Sequence, residues 1–112
     1  MLRDVPAQDL EKTPVTTFVE IRPRELSPAL LELDGISRTT IEAHYRLYQG
    51  YVAKRNEILD RLGAVDLGAA NQVFSELRAL KIDLTFAVGG IKNHELYFEH
   101  LGGEGGDPDG PI

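Results

Sequence analysis

Asn93-His94-Glu95-Leu96-Tyr97-Phe98-Glu99-His100-Leu101, followed directly by Gly102-Gly103-Glu104-Gly105-Gly106-Asp107-Pro108-Asp109-Gly110, is the stretch whose reading decides the fold. Its first half has the composition of the end of an amphipathic helix, with the imidazole of His94 on the apolar side. Its second half is a stop signal: four glycines and a proline between Gly102 and Pro108 end any helix. They predict a flexible exit over residues 102–112.

Working back from that end, apolar residues recur at helical spacing through Leu77, Leu80, Leu84, Val88, Ile91, His94, Phe98 and Leu101. The pattern begins near Asn71, with Val73 and Phe74. Gly89-Gly90 interrupts it and costs roughly 1–2 kcal/mol relative to alanines. Either the helix breaks near Asp83, or the glycines allow another helix to come close. The expectation is one short helix followed by a longer one ending near Leu101.

A second long pattern precedes it. Ser37 is placed to cap the free amides of a first turn, with Ile36 as its hydrophobic staple. Ile41, His44, Tyr48, Tyr51, Arg55, Ile58 and Leu62 then recur every three or four residues, forming one helical face. Gly63 ends this helix after roughly 26 residues, or about 39 Å. Upstream, Ser27-Pro28 starts a short turn and Asp34-Gly35 redirects the chain. Thr16 to Ile21 is β-branched and aromatic, but Pro14 and Pro23 bracket it, which suits a surface-lying extended segment better than an interior strand. A weak helix is expected over Ala7 to Lys12. The fold class expected is all-α: an antiparallel helical hairpin over residues 23–101, an extended arm over 1–22, and the glycine-rich tail or interdomain linker over 102–112.

The bulk composition narrows the chemistry. A chain of 112 residues is one domain by length and can bury one real core. It contains no cysteine, so a metal must use His, Asp, Glu or backbone oxygen. A net charge of −6 argues against a nucleic-acid binder, which needs a basic face to neutralise phosphates. No run of about 18 apolar residues is present to span a membrane. Residues 1–14 are polar and charged, unlike a secretory signal, and the default location is cytoplasmic.

In an antiparallel hairpin the start of the first helix lies beside the end of the second. His44 is seven residues beyond Ser37 and His94 seven before Leu101, so each sits about 10 Å from the open end. Counted from the connector, the distances are about 27 Å for His44 and about 36 Å for His94 if the second helix starts at Ala70. The mismatch vanishes if the turn lies around residues 67–76. A histidine on a core face is usually a hydrogen-bonded structural residue. Two at matching heights are also a pair of ligands for iron, manganese, zinc or copper, although a tight site takes four or more donors. Glu42, Glu95 and Glu99 fall off the apolar stripe and are expected to be solvated. His100, about 240° around the helix from His94, is given no role. Tyr48 and Tyr51 are core aromatics, or phenols able to donate a hydrogen bond or relay a proton to a small redox substrate.

Ile41-Glu42-Ala43-His44-Tyr45 followed by Tyr51-Val52 resembles the first helix of iron/manganese superoxide dismutases. Asn93-His94-Glu95-Leu96-Tyr97-Phe98 with its glycine-rich exit resembles the family's second-helix motif and is the more specific of the two. The segment Ser27 to Asp34 is also similar, and the resemblance covers roughly Phe18 to Ile112. It implies an N-terminal helical hairpin that supplies two ligands, His44 and His94, to one iron or manganese ion. It also implies dismutation of superoxide to oxygen and hydrogen peroxide. The family's other two protein ligands, an aspartate and a histidine, belong to a C-terminal α/β domain, which is expected to be absent here or supplied by another chain. The chain departs from the family pattern in having Leu47-Tyr48-Gln49, and in an interval from His44 to Tyr51 that is one residue short. The resemblance therefore leaves open whether Tyr48 or Tyr51 takes the substrate-gateway position. Two other readings remain open: a non-catalytic hairpin that self-associates or binds a partner, and a homodimer pooling His44 and His94 into a four-imidazole site.

Overall fold

The computed structural model describes residues 18–102. The helix expected over Ala7 to Lys12 and the tail from residue 103 onward lie outside the described residues. Two 26-residue helices dominate: α1 (Arg38–Gly63) and α2 (Glu76–Leu101). Short 3-10 turns precede each of them, at Pro28–Glu32 and Leu67–Ala69, and no strand occurs among the described residues. The fold is an all-α hairpin.

Each helix begins where a serine can accept from a free amide of the first turn. Ser37 Oγ accepts from Thr40 N (3.1 Å) at the start of α1. Ser75 Oγ does the same for Arg78 N (3.2 Å) at the start of α2. Before α1 the chain turns at Gly35, whose φ of 89° is a left-handed conformation that favours glycine.

The second helix differs from expectation at both its start and its middle. Asn71 to Phe74 are not helical. Asn71 Oδ1 instead accepts from the amides of Val73 (2.7 Å) and Phe74 (3.2 Å), and Ser75 Oγ donates to the Asn71 carbonyl (2.9 Å). This side-chain competition for backbone donors closes a turn where a helix would have needed the same amides. Val73 and Phe74 are consequently exposed, at 78% and 87%. From Glu76 onward α2 is unbroken through Gly89-Gly90. The helix-propensity cost of two glycines is outweighed by packing, because Gly90 is where the Tyr51 side chain of α1 closes on α2.

The late start of α2 removes the mismatch in height between the two histidines. The part of α1 between His44 and Gly63 is only slightly longer than the part of α2 between Glu76 and His94. The rise from the connector is therefore about 28 Å in one case and about 27 Å in the other.

The helices meet through two apolar clusters. Near the connector, Ile58, Val65, Leu80 and Ala87 are buried together, flanked by Leu62, Leu77 and Leu84. Toward the open end, Tyr48, Val52 and Ile91 form a second cluster with Ile21, Tyr45, Tyr51 and Phe98 around it. The segment before the 3-10 turn lies extended along α1 without becoming a strand, because side chains satisfy its backbone. Asn56 accepts from Ile21 N (3.1 Å) and donates to Ile21 O (2.9 Å). Arg55 donates to the carbonyl of Val19 (2.8 Å).

Candidate metal centre

His44 on α1 and His94 on α2 face each other, with ring centres 5.6 Å apart and ring planes tilted by 45°. The shared height explains the meeting: nearly equal lengths of helix, rising from a common connector, bring both rings to one level. Phe86, Gly90, His94 and Phe98 are spaced four apart on α2 and form a single row along its surface. Tyr51 of α1 packs into that row, its ring 5.8 Å from Phe86 and 5.6 Å from His94.

Hydrogen bonding fixes the state of His94. Its Nδ1 lies 2.8 Å from the carbonyl oxygen of Gly90. A carbonyl can only accept, so Nδ1 carries the hydrogen, and in the neutral imidazole the lone pair is on Nε2. Orientation of one ring nitrogen by a backbone carbonyl is the usual outer support for a histidine that ligates a metal through the other. His44 is different. Its Nδ1 is a buried side-chain nitrogen with no hydrogen-bond partner, a condition that costs about 1–3 kcal/mol when nothing meets it.

The spacing suits a shared ion. With metal–nitrogen bonds of about 2.1 Å and ring centres about 1 Å further out, two imidazoles on one ion have centres at most roughly 6.2 Å apart. The observed 5.6 Å falls inside that limit. Two donors do not complete a site, and among the described residues no group of three or more His, Cys, Asp or Glu is gathered to hold a metal.

The two candidate tyrosines have different surroundings. Tyr51 stands beside His94. Tyr48 is 1% exposed, packs on Tyr45 and Phe98, and uses its hydroxyl in a polar network instead. It accepts from Arg24 N (2.9 Å) and donates to Glu95 (2.8 Å). Burial raises the Tyr48 phenol above its ordinary value, the Arg24 amide draws it back down, and the Glu95 carboxylate pushes it further up.

Glu95 is not in solvent, contrary to expectation. Its side chain is 21% exposed and is held by Tyr48 and by Arg24 Nε at 3.3 Å. The reason lies in the extended segment, which covers this side of α2 and which a helical projection does not include. Glu99 and Glu42 do sit in exposed ion pairs, with Arg24 (2.9 Å) and Arg38 (2.9 Å). Tyr97, to which the sequence pattern assigns no role, has its ring centre 5.0 Å from that of His44. Its position three residues after His94 was the available signal.

Residues 28–102 match the alpha-hairpin domain of the iron/manganese superoxide dismutases. The chain belongs to that family. Among relatives of this dismutase hairpin is an iron superoxide dismutase of Aquifex aeolicus (strain VF5), 46% identical over 93 residues, covering 77% of this chain and 43% of the relative. That of Aquifex pyrophilus is 48% identical over 79 residues, covering 65% of this chain and 37% of the relative. That of Saccharolobus solfataricus is 31% identical over 106 residues, covering 88% and 50%. The dismutase hairpin thus spans half or less of the length of these relatives. No solved structure matches it. No helix among the described residues is long and apolar enough to cross a membrane.

Proposed function

We propose that this hairpin supplies His44 and His94 as two imidazole ligands to an iron or manganese ion in a superoxide dismutase, the remaining ligands coming from outside the described residues. The observation that carries this reading is the facing pair of imidazoles 5.6 Å apart, one of them with Nδ1 already committed to the Gly90 carbonyl. The chemistry supplied by such an ion, when bound, is one-electron exchange: superoxide is oxidised to oxygen in one half-reaction and reduced to hydrogen peroxide in the other.

The chain's own residues hold and shield the pair. The Gly90 carbonyl keeps the Nε2 lone pair of His94 available. Tyr97 covers His44 on one side, and Phe98 covers His94 at 6.3 Å between ring centres. Tyr51, beside His94, is placed to offer its phenol to a small oxygen substrate. Tyr48 serves the site indirectly by tying α1 to Glu95, the residue next to His94.

Manganese(II) titration of the 112-residue chain, followed by paramagnetic broadening of histidine side-chain resonances, tests the ligand assignment even if the ion binds weakly. His44 and His94 are expected to broaden together while His100 is spared, and His44→Ala is expected to protect His94. Uniform broadening of all three histidines, or of none, would count against the assignment. Stopped-flow superoxide decay by the metal-loaded protein, with His44→Ala and His94→Ala each abolishing it, tests the activity.

A further inference from the structure

Gly90 and Gly89 are neighbours in α2 with opposite surroundings. A Cβ built on Gly89 meets nothing within 4 Å, whereas one on Gly90 would fall 2.6 Å from Cγ, Cδ1 and Cε1 of Tyr51. Those atoms include the root of the ring, so bending the tip of the side chain does not clear the overlap. Either the ring leaves its rotamer or the two helices separate. Phe86 and His94 occupy the positions one turn before and one turn after Gly90, and the Tyr51 ring contacts both. The gap left by the missing side chain is therefore the seat of the ring. The same residue's carbonyl is the acceptor for His94 Nδ1.

We propose that Gly90 is a positioning residue that seats the Tyr51 ring against His94, while its carbonyl sets the tautomer of that histidine. The functional part of this inference rests on His94 being a metal ligand and Tyr51 facing the substrate. The positional part does not. Gly89 has no share in the arrangement, which makes it a matched control: an alanine at either position brings the same gain in helix propensity.

The experiment compares Gly89→Ala, Gly90→Ala, Tyr51→Ala and the Tyr51→Ala/Gly90→Ala double variant in the 112-residue chain. Gly89→Ala is expected to keep the NOEs between the Tyr51 and His94 rings and to melt no lower than the parent. Gly90→Ala is expected to lose those NOEs, to shift the His94 ring resonances, and to melt about 4 °C or more lower. In the Tyr51→Ala background the same glycine substitution is expected to raise the melting temperature, because the overlap is gone and only the propensity gain remains. That arm keeps the test decisive if Gly90→Ala alone fails to fold. Intact Tyr51–His94 NOEs in Gly90→Ala, or an equal loss of melting temperature with and without Tyr51, would overturn the proposal. Manganese broadening of His94 is expected to weaken in Gly90→Ala and not in Gly89→Ala. Absence of broadening in the parent would count against the metal reading alone, since the NOE and melting outcomes do not depend on it.

Discussion

The hydroxyl of Tyr48 donates to the carboxylate of Glu95 across the two helices at 2.8 Å, and accepts the amide hydrogen of Arg24 on its other side. One phenol thus joins α1, α2 and the extended segment at the level of the facing histidines. Tyr45 strengthens the junction by donating to the Arg24 carbonyl (2.7 Å).

Tyr48→Phe removes both bonds of this phenol while keeping the ring in the core. The cost is expected to be about 1–3 kcal/mol, because partly buried partners are left without their exchange. Arg24→Ala removes only ion pairs whose arginine side chain is 64% exposed, so it is expected to cost about 1 kcal/mol or less. Urea denaturation of the two variants checks the ranking. Equal losses would show that the phenol is not the linking element.

The same phenol predicts an alkaline limit. Its folded-state value lies above the ordinary 10.0, chiefly through burial. The folded chain therefore holds the proton more tightly than the unfolded chain. That contribution is complete below about pH 10 and is lost as the pH rises through the folded-state value. Melting temperatures from about pH 9 to about pH 11 are expected to fall more steeply in the parent than in Tyr48→Phe. Parallel profiles would refute it.

Ser75→Ala deletes the cap of α2 and is expected to cost about 1 kcal/mol. Phe74→Ser, one residue earlier, is expected to be neutral within about 0.5 kcal/mol despite the loss of an aromatic ring, because that ring is exposed. Chemical denaturation of both variants tests where the helix begins. A costly Phe74→Ser and a silent Ser75→Ala would move the start back toward Asn71.

Long-range proton–nitrogen correlation spectra of the metal-free chain above the histidine titration are expected to show His94 protonated on Nδ1. A hydrogen on Nε2 instead would break the link between Gly90 and a ligand-ready nitrogen.

Much of the hairpin was legible from residues alone. Ser37 starts α1 because capping is local chemistry, carried by a single side chain, and Gly63 is the last helical residue before the Ala64 cap. The Asn93–Phe98 motif placed His94 on the inner face and, with Ile41–Tyr45, pointed to the dismutase family that the family match shows. Other features were hidden. Whether Asn71 begins a helix or a turn depends on which donors its side chain captures, and both outcomes satisfy the same apolar spacing. Glu95 projects away from the apolar stripe, and only the extended segment, brought back from ahead of α1, makes it a partner.

The sequence by itself determined two amphipathic helical patterns, the cap of the first, and a histidine on each inner face. Period and capping are properties of neighbours a few residues apart. The tertiary structure decided that α2 runs unbroken through Gly89-Gly90, that Tyr51 stands beside His94, and that Tyr48 turns to Glu95. Each of these depends on contacts between side chains distant in the chain, and on the space that a glycine leaves when another ring arrives to fill it.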